Sequence, residues 1–159
     1  MTVQDVMTTP AVACKPGMNL AEATALFWEN GCGALPITSE TGELIGIVTD
    51  RDICIALGTR NVRSSDLHVQ DVAHDHLLSC KRTDDIHTAL QRMRDGKVRR
   101  LPVIDEDSRL AGIISMDDIV LNAQRNGRTG DAVSYGDAIS TLQAIYTRDD
   151  RTRGQSTAA

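Results

Sequence analysis

Aromatic side chains are scarce in this chain of 159 residues, which holds one Trp, two Tyr and one Phe. Its core must therefore be aliphatic, filled by Leu, Ile, Val, Ala and Met. Positive charge is also short. The formal net charge is −5, whereas a general nucleic-acid binder needs a basic face to meet the phosphate backbone. The same balance argues against an anionic membrane surface. No window has the length and apolarity of a transmembrane helix. The opening MTVQDVMTTP has neither the charged n-region nor the apolar h-region of a secretory signal, so a cytoplasmic location is expected. Four cysteines (Cys14, Cys32, Cys54 and Cys80) form no Cys-x-x-Cys pair. Neither a zinc cage nor a disulfide scaffold is indicated, and the four are read as buried free thiols acting as small hydrophobes.

Catalytic signatures are missing too. There is no Gly-x-Ser-x-Gly, no P-loop and no His-Glu-x-x-His, so no catalytic residue is assigned and no cofactor is required. His68, His74, His76 and His87 raise a metal hypothesis, because Ala73-His74-Asp75-His76 clusters three candidate ligands. The simpler reading is histidines in solvent ahead of a strand, and no metal site is assigned.

What the chain does have is an internal repeat. Val-Gln-Asp-Val occurs at Val3–Val6 and again at Val69–Val72, an offset of 66. Keeping that offset without a gap brings Cys14-Lys15 onto Cys80-Lys81, Leu35-Pro36 onto Leu101-Pro102, Gly46-Ile47 onto Gly112-Ile113 and Asp52-Ile53 onto Asp118-Ile119. Between residues 3–54 and 69–120, 15 of 52 aligned positions are identical, against about three expected from composition, which identifies a duplication.

Each copy predicts a helical turn (Val3–Met7, Val69–Ala73), a short strand (Ala11–Ala13, Leu77–Ser79), a helix, two strands and a last helix. Ile86, Ala89, Leu90 and Met93 recur at i, i+3, i+4, i+7, one helix face, as do Leu20, Ala23 and Phe27 in the first copy. Asn19 with Glu22 reads as a capping box. Leu35–Thr38 and Leu44–Val48, joined by Ser39-Glu40-Thr41-Gly42, read as a hairpin, as do Leu101–Ile104 and Leu110–Ile114. Neither copy can bury a good core alone. The expectation is an α/β (α+β) fold of tandem β-α-β-β-α repeats packed about a pseudo-two-fold axis. The first motif spans residues 1–60, a linker 61–68, the second motif 69–126 and a C-terminal extension 127–159. Ile139, Leu142, Ile145 and Tyr146 predict an amphipathic helix over about 135–147, followed by a flexible tail. The helices Leu20–Phe27 and Ile86–Met93, with no other domain to cover them, predict a homodimer.

The strand-to-helix junctions carry the candidate chemistry. Gly46-Ile47-Val48-Thr49-Asp50-Arg51-Asp52 and Gly112-Ile113-Ile114-Ser115-Met116-Asp117-Asp118 both fit Gly-h-h-[Ser/Thr]-x-x-Asp, where h is apolar. Glycine permits close approach to the backbone. A helix N-terminus offers N–H groups to an anion. A hydroxyl can bond a phosphate or sugar oxygen, and an Asp carboxylate can accept from both hydroxyls of a ribose. Thr-x-x-Asp and Ser-x-x-Asp are equally plain capping boxes, and both readings stand. Arg99-Arg100, just before a buried strand, suits bidentate phosphate binding and reads equally as a solvated basic pair; the matching positions in the first copy are Gly33-Ala34.

Leu-Pro-Ile/Val, the Leu-x-Gly-Ile-[Val/Ile]-[Thr/Ser]-x-x-Asp run and the doubled plan resemble the CBS-domain family, paired as a Bateman module, over residues 1 to about 125. The first half is similar to stand-alone CBS proteins of the hypoxic-response type. The resemblance implies sensing of an adenosine-containing ligand. AMP or ATP is the leading candidate, with ADP, NAD or S-adenosylmethionine as alternatives. It also implies a regulatory role, not an enzymatic one, exerted on an unidentified protein partner. The implied nucleotide-binding residues are Gly46, Thr49, Asp50, Arg51, Asp52, Arg99, Arg100, Gly112, Ser115 and Asp118. By that resemblance Arg99 and Arg100 face the cleft of Asp52, while Gly33 and Ala34 face that of Asp118, which then has no added cation. The alternative is a ligand-free structural interaction module.

Overall fold

The computed structural model describes residues 1–73, 77–124 and 132–147. His74, Asp75 and His76 lie outside them, as does the tail after Thr147. The first repeat opens with a turn of 3-10 helix at Val3–Asp5. It continues through helix α1 (Leu20–Asn30), strands β1 (Ala34–Thr38) and β2 (Leu44–Thr49) and helix α2 (Asp50–Arg60). A second such turn, Val69–Asp71, leads to β3 (Cys80–Lys81), α3 (Ile86–Gly96), β4 (Arg100–Ile104), β5 (Leu110–Ser115) and α4 (Met116–Asn122). Helix α5 (Tyr135–Tyr146) follows.

Local sequence accounts for most of these boundaries. Asn19 Oδ1 accepts from the Glu22 amide at 3.0 Å and Glu22 Oε2 from the Asn19 amide at 3.2 Å, closing the box that starts α1. Gly31 ends that helix at φ +58°, in the left-handed region where glycine costs least. Each hairpin pairs antiparallel, Leu35 with Val48 and Leu101 with Ile114. The leading short strands sit further along the chain than the sequence suggests. Pairing occurs at Cys80–Lys81, parallel to β4, and as a single bridge from Cys14 to Ile37 in the first repeat. Those are the points where the buried thiols turn inward and the strand-centre carbonyl of Pro36 accepts from the Cys14 amide at 2.9 Å.

The two opening turns are exchanged between repeats. Val3 is fully buried in the core built by Ile86, Leu90, Met93, Leu101 and Ile114, whereas Val69 is fully buried among Leu20, Phe27, Leu35, Val48 and Ile53. Each buried valine is worth roughly 1.5–3 kcal/mol, so each repeat lends the other part of its core. Backbone hydrogen bonds hold the exchange in mirrored pairs. Val3 N donates to Asp84 O and Val69 N to Met18 O, while Leu110 N donates to Gly42 O and Leu44 N to Ser108 O. Every donor and acceptor shifts by the repeat offset, which is the pseudo-two-fold axis seen in contacts. The apolar faces of α1 and α3 are used up inside this one chain. Leu20, Ala23, Ile86, Ala89 and Met93 are all 0 % exposed, so the reasoning that those faces need a second copy is overturned.

Helix α5 packs on α3 and α4 of the second repeat. Its inner face is Ala138, Thr141, Leu142 and Ile145, which keeps Leu142 and Ile145 of the stripe expected from sequence and replaces Ile139 and Tyr146. Ile139 is 57 % and Tyr146 61 % exposed. The reason is Arg94 of α3, whose Nε donates to Thr141 Oγ1 at 2.8 Å. A buried hydroxyl with a charged donor outcompetes Ile139 for the inner face, because an unpaired buried polar group is costly. The thiols also divide. Cys14 and Cys80 are buried as expected, Cys32 is half-buried and Cys54 is exposed; all four are free.

Candidate functional site

Both strand-to-helix junctions form closed capping boxes. The Thr49 amide and hydroxyl donate to Asp52 Oδ2 at 2.9 and 2.6 Å, and the Asp52 amide returns a bond to Thr49 Oγ1 at 3.2 Å. Ser115 and Asp118 repeat this at 2.8, 2.6 and 3.2 Å. The capping reading is thus a structural fact at both sites. At α2 the Arg51 amide also donates to Asp50 Oδ1 at 2.7 Å. Two first-turn amides therefore already have acceptors, and the helix end offers an anion less than the sequence implied. The positive charge beside the first box comes instead from the guanidinium groups of Arg51, Arg99 and Arg100. Asp118 is further engaged, because Thr8 Oγ1 donates to its Oδ1 at 3.2 Å.

Two clefts open beside these boxes, with volumes of about 410 and 310 Å³. The first is lined by Thr49, Asp50, Arg51, Asp52, Arg99 and Arg100, with an apolar wall of Ile47, Leu78 and Val98. The second holds Ser115, Asp117 and Asp118, with Val12, Cys32 and Ile113 as its wall. The repeat offset turns one wall into the other, Leu78 to Val12 and Val98 to Cys32, so the clefts are pseudo-symmetric mates. Their charges are not matched. Three arginines face two aspartates in the first cleft, and one arginine faces two aspartates in the second. The sequence gives no cation to the second cleft; the structure corrects this, because Arg100 lines both. A Cβ built on Gly33 would lie 3.3 Å from Arg100 Nη2 and 3.4 Å from Asp50 Oδ2. The small residue there seats the guanidinium on the wall between the clefts.

Gly46 and Gly112 are not among the residues lining the two clefts. A Cβ on Gly112 would meet the Thr8 carbonyl oxygen at 2.8 Å and the Met7 sulfur at 2.9 Å, and one on Gly46 would meet Ile37 Cδ1 at 3.1 Å. The close approach that these glycines permit is by the chain itself. Sequence reasoning in turn did not assign Ile47 and Val98 to the site, and it placed Tyr146, the neighbour of Arg99, only in an apolar stripe. Arg99 Nη1 donates to Tyr146 Oη at 3.1 Å. The stretches that the sequence reading offers for an adenine, Val12 to Cys14 and Leu78 to Cys80, contribute Val12 and Leu78 to the two apolar walls.

No activated nucleophile faces either cleft among the described residues. Burial pushes the Cys32 thiol upward, and it carries Cys14 to about 11 and Cys80 to about 12, which makes all three poor thiolate sources. Among the described residues no group of three His, Cys, Asp or Glu is placed to hold a metal ion. His68 and His87 are partly exposed beside Asp71 and Asp85. No helix among the described residues is long and apolar enough to cross a membrane.

Comparison with known proteins places these features. The CBS domain profile matches residues 3–59 and 69–124. The CBS domain-containing protein YhcV of Bacillus subtilis (strain 168) is 32% identical over 133 residues, covering 84% of this chain and 93% of that protein. The crystal structure of Hypoxic Response Protein I, described with two coordinated zinc ions, superposes with a TM-score of 0.72 at 29% identity, over 78% of this chain and 100% of that one. CBSX2 in complex with AMP superposes with a TM-score of 0.67 at 25% identity, over 76% of this chain and 94% of that one.

Proposed function

The chain belongs to the CBS-domain family, and from that premise we propose that it is a regulatory module that takes an adenosine-containing ligand, AMP or ATP foremost, in its larger cleft. Residues 1–60 and 69–126 are the two motifs, 61–68 their linker and 127–159 an extension. The observation that carries this reading is the joining of Asp52 from one repeat with Arg99 and Arg100 from the other in one cleft of about 410 Å³. The carboxylate suits ribose hydroxyls, the guanidiniums suit a phosphate, and Ile47, Leu78 and Val98 suit the face of a base. The AMP held by CBSX2 supports the ligand class. A charge-assisted hydrogen bond contributes roughly 1.5–3 kcal/mol. The two arginines together then account for about a hundredfold in affinity or more.

A ligand in this cleft touches both repeats at once. It favours whichever relative arrangement brings the Arg99–Arg100 strand end and the Asp52 helix end to their best separation, and that differential affinity is what an effector needs to shift a population. The output goes to a protein partner, and no reaction is catalysed. A homodimer is part of the proposal, resting now on outward-facing Trp28 and Leu121, 88 % and 84 % exposed. The closed capping boxes favour a second reading, a ligand-free interaction module.

Calorimetric titration with AMP, ATP, NAD and S-adenosylmethionine, with adenosine as the phosphate-free reference, separates the two. Binding of AMP or ATP that is at least tenfold tighter than binding of adenosine is expected. No heat from any of the four at millimolar concentration would leave the ligand-free module standing.

A further inference from the structure

Helix α5 lies beyond the residues matched by the family profile, yet it bonds Arg99, which lines the cleft. It is tied to one segment of chain at three points. Arg94 donates to Thr141 Oγ1 at 2.8 Å and to Ser140 Oγ at 3.0 Å. Lys97 Nζ donates to the Thr147 carbonyl at 3.0 Å, and Arg99 Nη1 to Tyr146 Oη at 3.1 Å. That segment, from the end of α3 into β4, is the one that delivers Arg99 and Arg100 to the larger cleft. Arg99 stands between two spaces. It lines the cleft on one side, and on the other a small cavity of about 70 Å³ that it shares with Arg100, Met116, Asp117, Leu142 and Tyr146.

We propose that Tyr146 is a positioning residue for Arg99, so that docking of α5 and binding of a phosphate-bearing ligand in the larger cleft are coupled. The proposal rests on the reading of that cleft as a nucleotide site and deepens it. Arg99 is exposed, and an exposed arginine loses rotamer freedom when it is fixed on an anion. The Tyr146 hydroxyl takes one of its five donors and sets the guanidinium plane while Arg99 already lines the cleft, leaving four donors in a preset fork. Part of the ordering cost is then met before the ligand arrives. Coupling of this kind is reciprocal: whatever affinity α5 lends the ligand, the ligand returns as α5 docking. The C-terminal helix is thereby both a tuner of the cleft and its readout, coupled to it through the contact of Tyr146 with Arg99.

Tyr146→Phe keeps the ring and removes only the hydroxyl. The expected result is AMP binding weaker by about 3- to 10-fold, the worth of one net hydrogen bond, with adenosine binding unchanged because Arg99 addresses the phosphate. In an Arg99→Ala background the same change should have no further effect on AMP. Saturating AMP should slow amide exchange in residues 135–146 of the wild-type protein and not in Tyr146→Phe. Wild-type AMP affinity in Tyr146→Phe, an equal loss for AMP and adenosine, or additivity with Arg99→Ala would each overturn the proposal. A wild-type protein that binds no AMP overturns the cleft reading itself, and this inference with it. That failure is distinct, because it appears before any variant is made.

Discussion

Replacing Arg100 by alanine tests the arrangement of the two clefts most directly. Arg100 opens β4, is half-buried, and lies over Gly33 on the wall that both cavities share. Its loss leaves the larger cleft with two arginines against two aspartates, and the smaller with two aspartates and no cation. One charge-assisted contact of roughly 1.5–3 kcal/mol, at about 1.4 kcal/mol per decade, corresponds to roughly 10- to 100-fold weaker AMP binding in the larger cleft. In the smaller cleft phosphate binding should vanish, since an anion would meet only carboxylates. Arg99→Ala should weaken the larger cleft alone, because Arg99 does not line the other. Calorimetry that resolves two classes of site, with a thermal melt as a fold check, reads both effects. Wild-type AMP affinity in Arg100→Ala would refute the reasoning. So would a loss confined to one class of site, since the shared wall requires both to respond.

Gly112→Ala should cost about 1–3 kcal/mol in thermal or denaturant unfolding, because its Cβ would press on the Thr8 carbonyl where Thr8 pairs with Ile113. Gly58→Ala, in an exposed turn of α2 with nothing within 4 Å, should stabilise by roughly 0.5–1 kcal/mol; equal effects at the two glycines would contradict the packing. Hydrogen bonds from the Ser134 hydroxyl and amide hold Asp137 below its ordinary value of 3.8, and His87 lowers it further. A depressed carboxylate stabilises the fold above its unfolded pKa and loses that contribution as pH falls through its folded one. The stability gap between wild type and Asp137→Asn should therefore be present at about pH 5 and close below 3.8; a gap constant with pH would exclude it. A thiol reagent at mildly alkaline pH should label exposed Cys54 quickly and Cys32 slowly, and reach Cys14 and Cys80 only on unfolding. A fast phase that survives Cys54→Ser would show that the core opens more readily than its burial implies.

Much of the fold was legible in the amino-acid order, because the features concerned are local. The 66-residue repeat, the inward faces of α1 and α3, the two hairpins and the capping boxes of Asn19, Thr49 and Ser115 each depend on residues within a turn or a strand pair. The candidate site residues were legible for the same reason: a duplicated Thr/Ser-x-x-Asp and an unmatched arginine pair stand out against a repeat. Long-range packing decided the rest. Nothing near Val3 says that it belongs to the core of the second repeat, since a small apolar residue fits either core and only the mirrored backbone bonds to Asp84 and Met18 select the exchange. Helical periodicity offered Ile139 to the inner face of α5, but a distant arginine claimed Thr141 instead. The close neighbour of Gly112 is Thr8, 104 residues earlier, which no local pattern announces. The sharing of Arg100 between clefts exists only because the start of β4 lies over Gly33, and the reach of Tyr146 to Arg99 only because the end of α5 lies beside the residue that precedes β4. Period and capping are written in near neighbours, whereas which surface a residue meets depends on the whole chain closing around it.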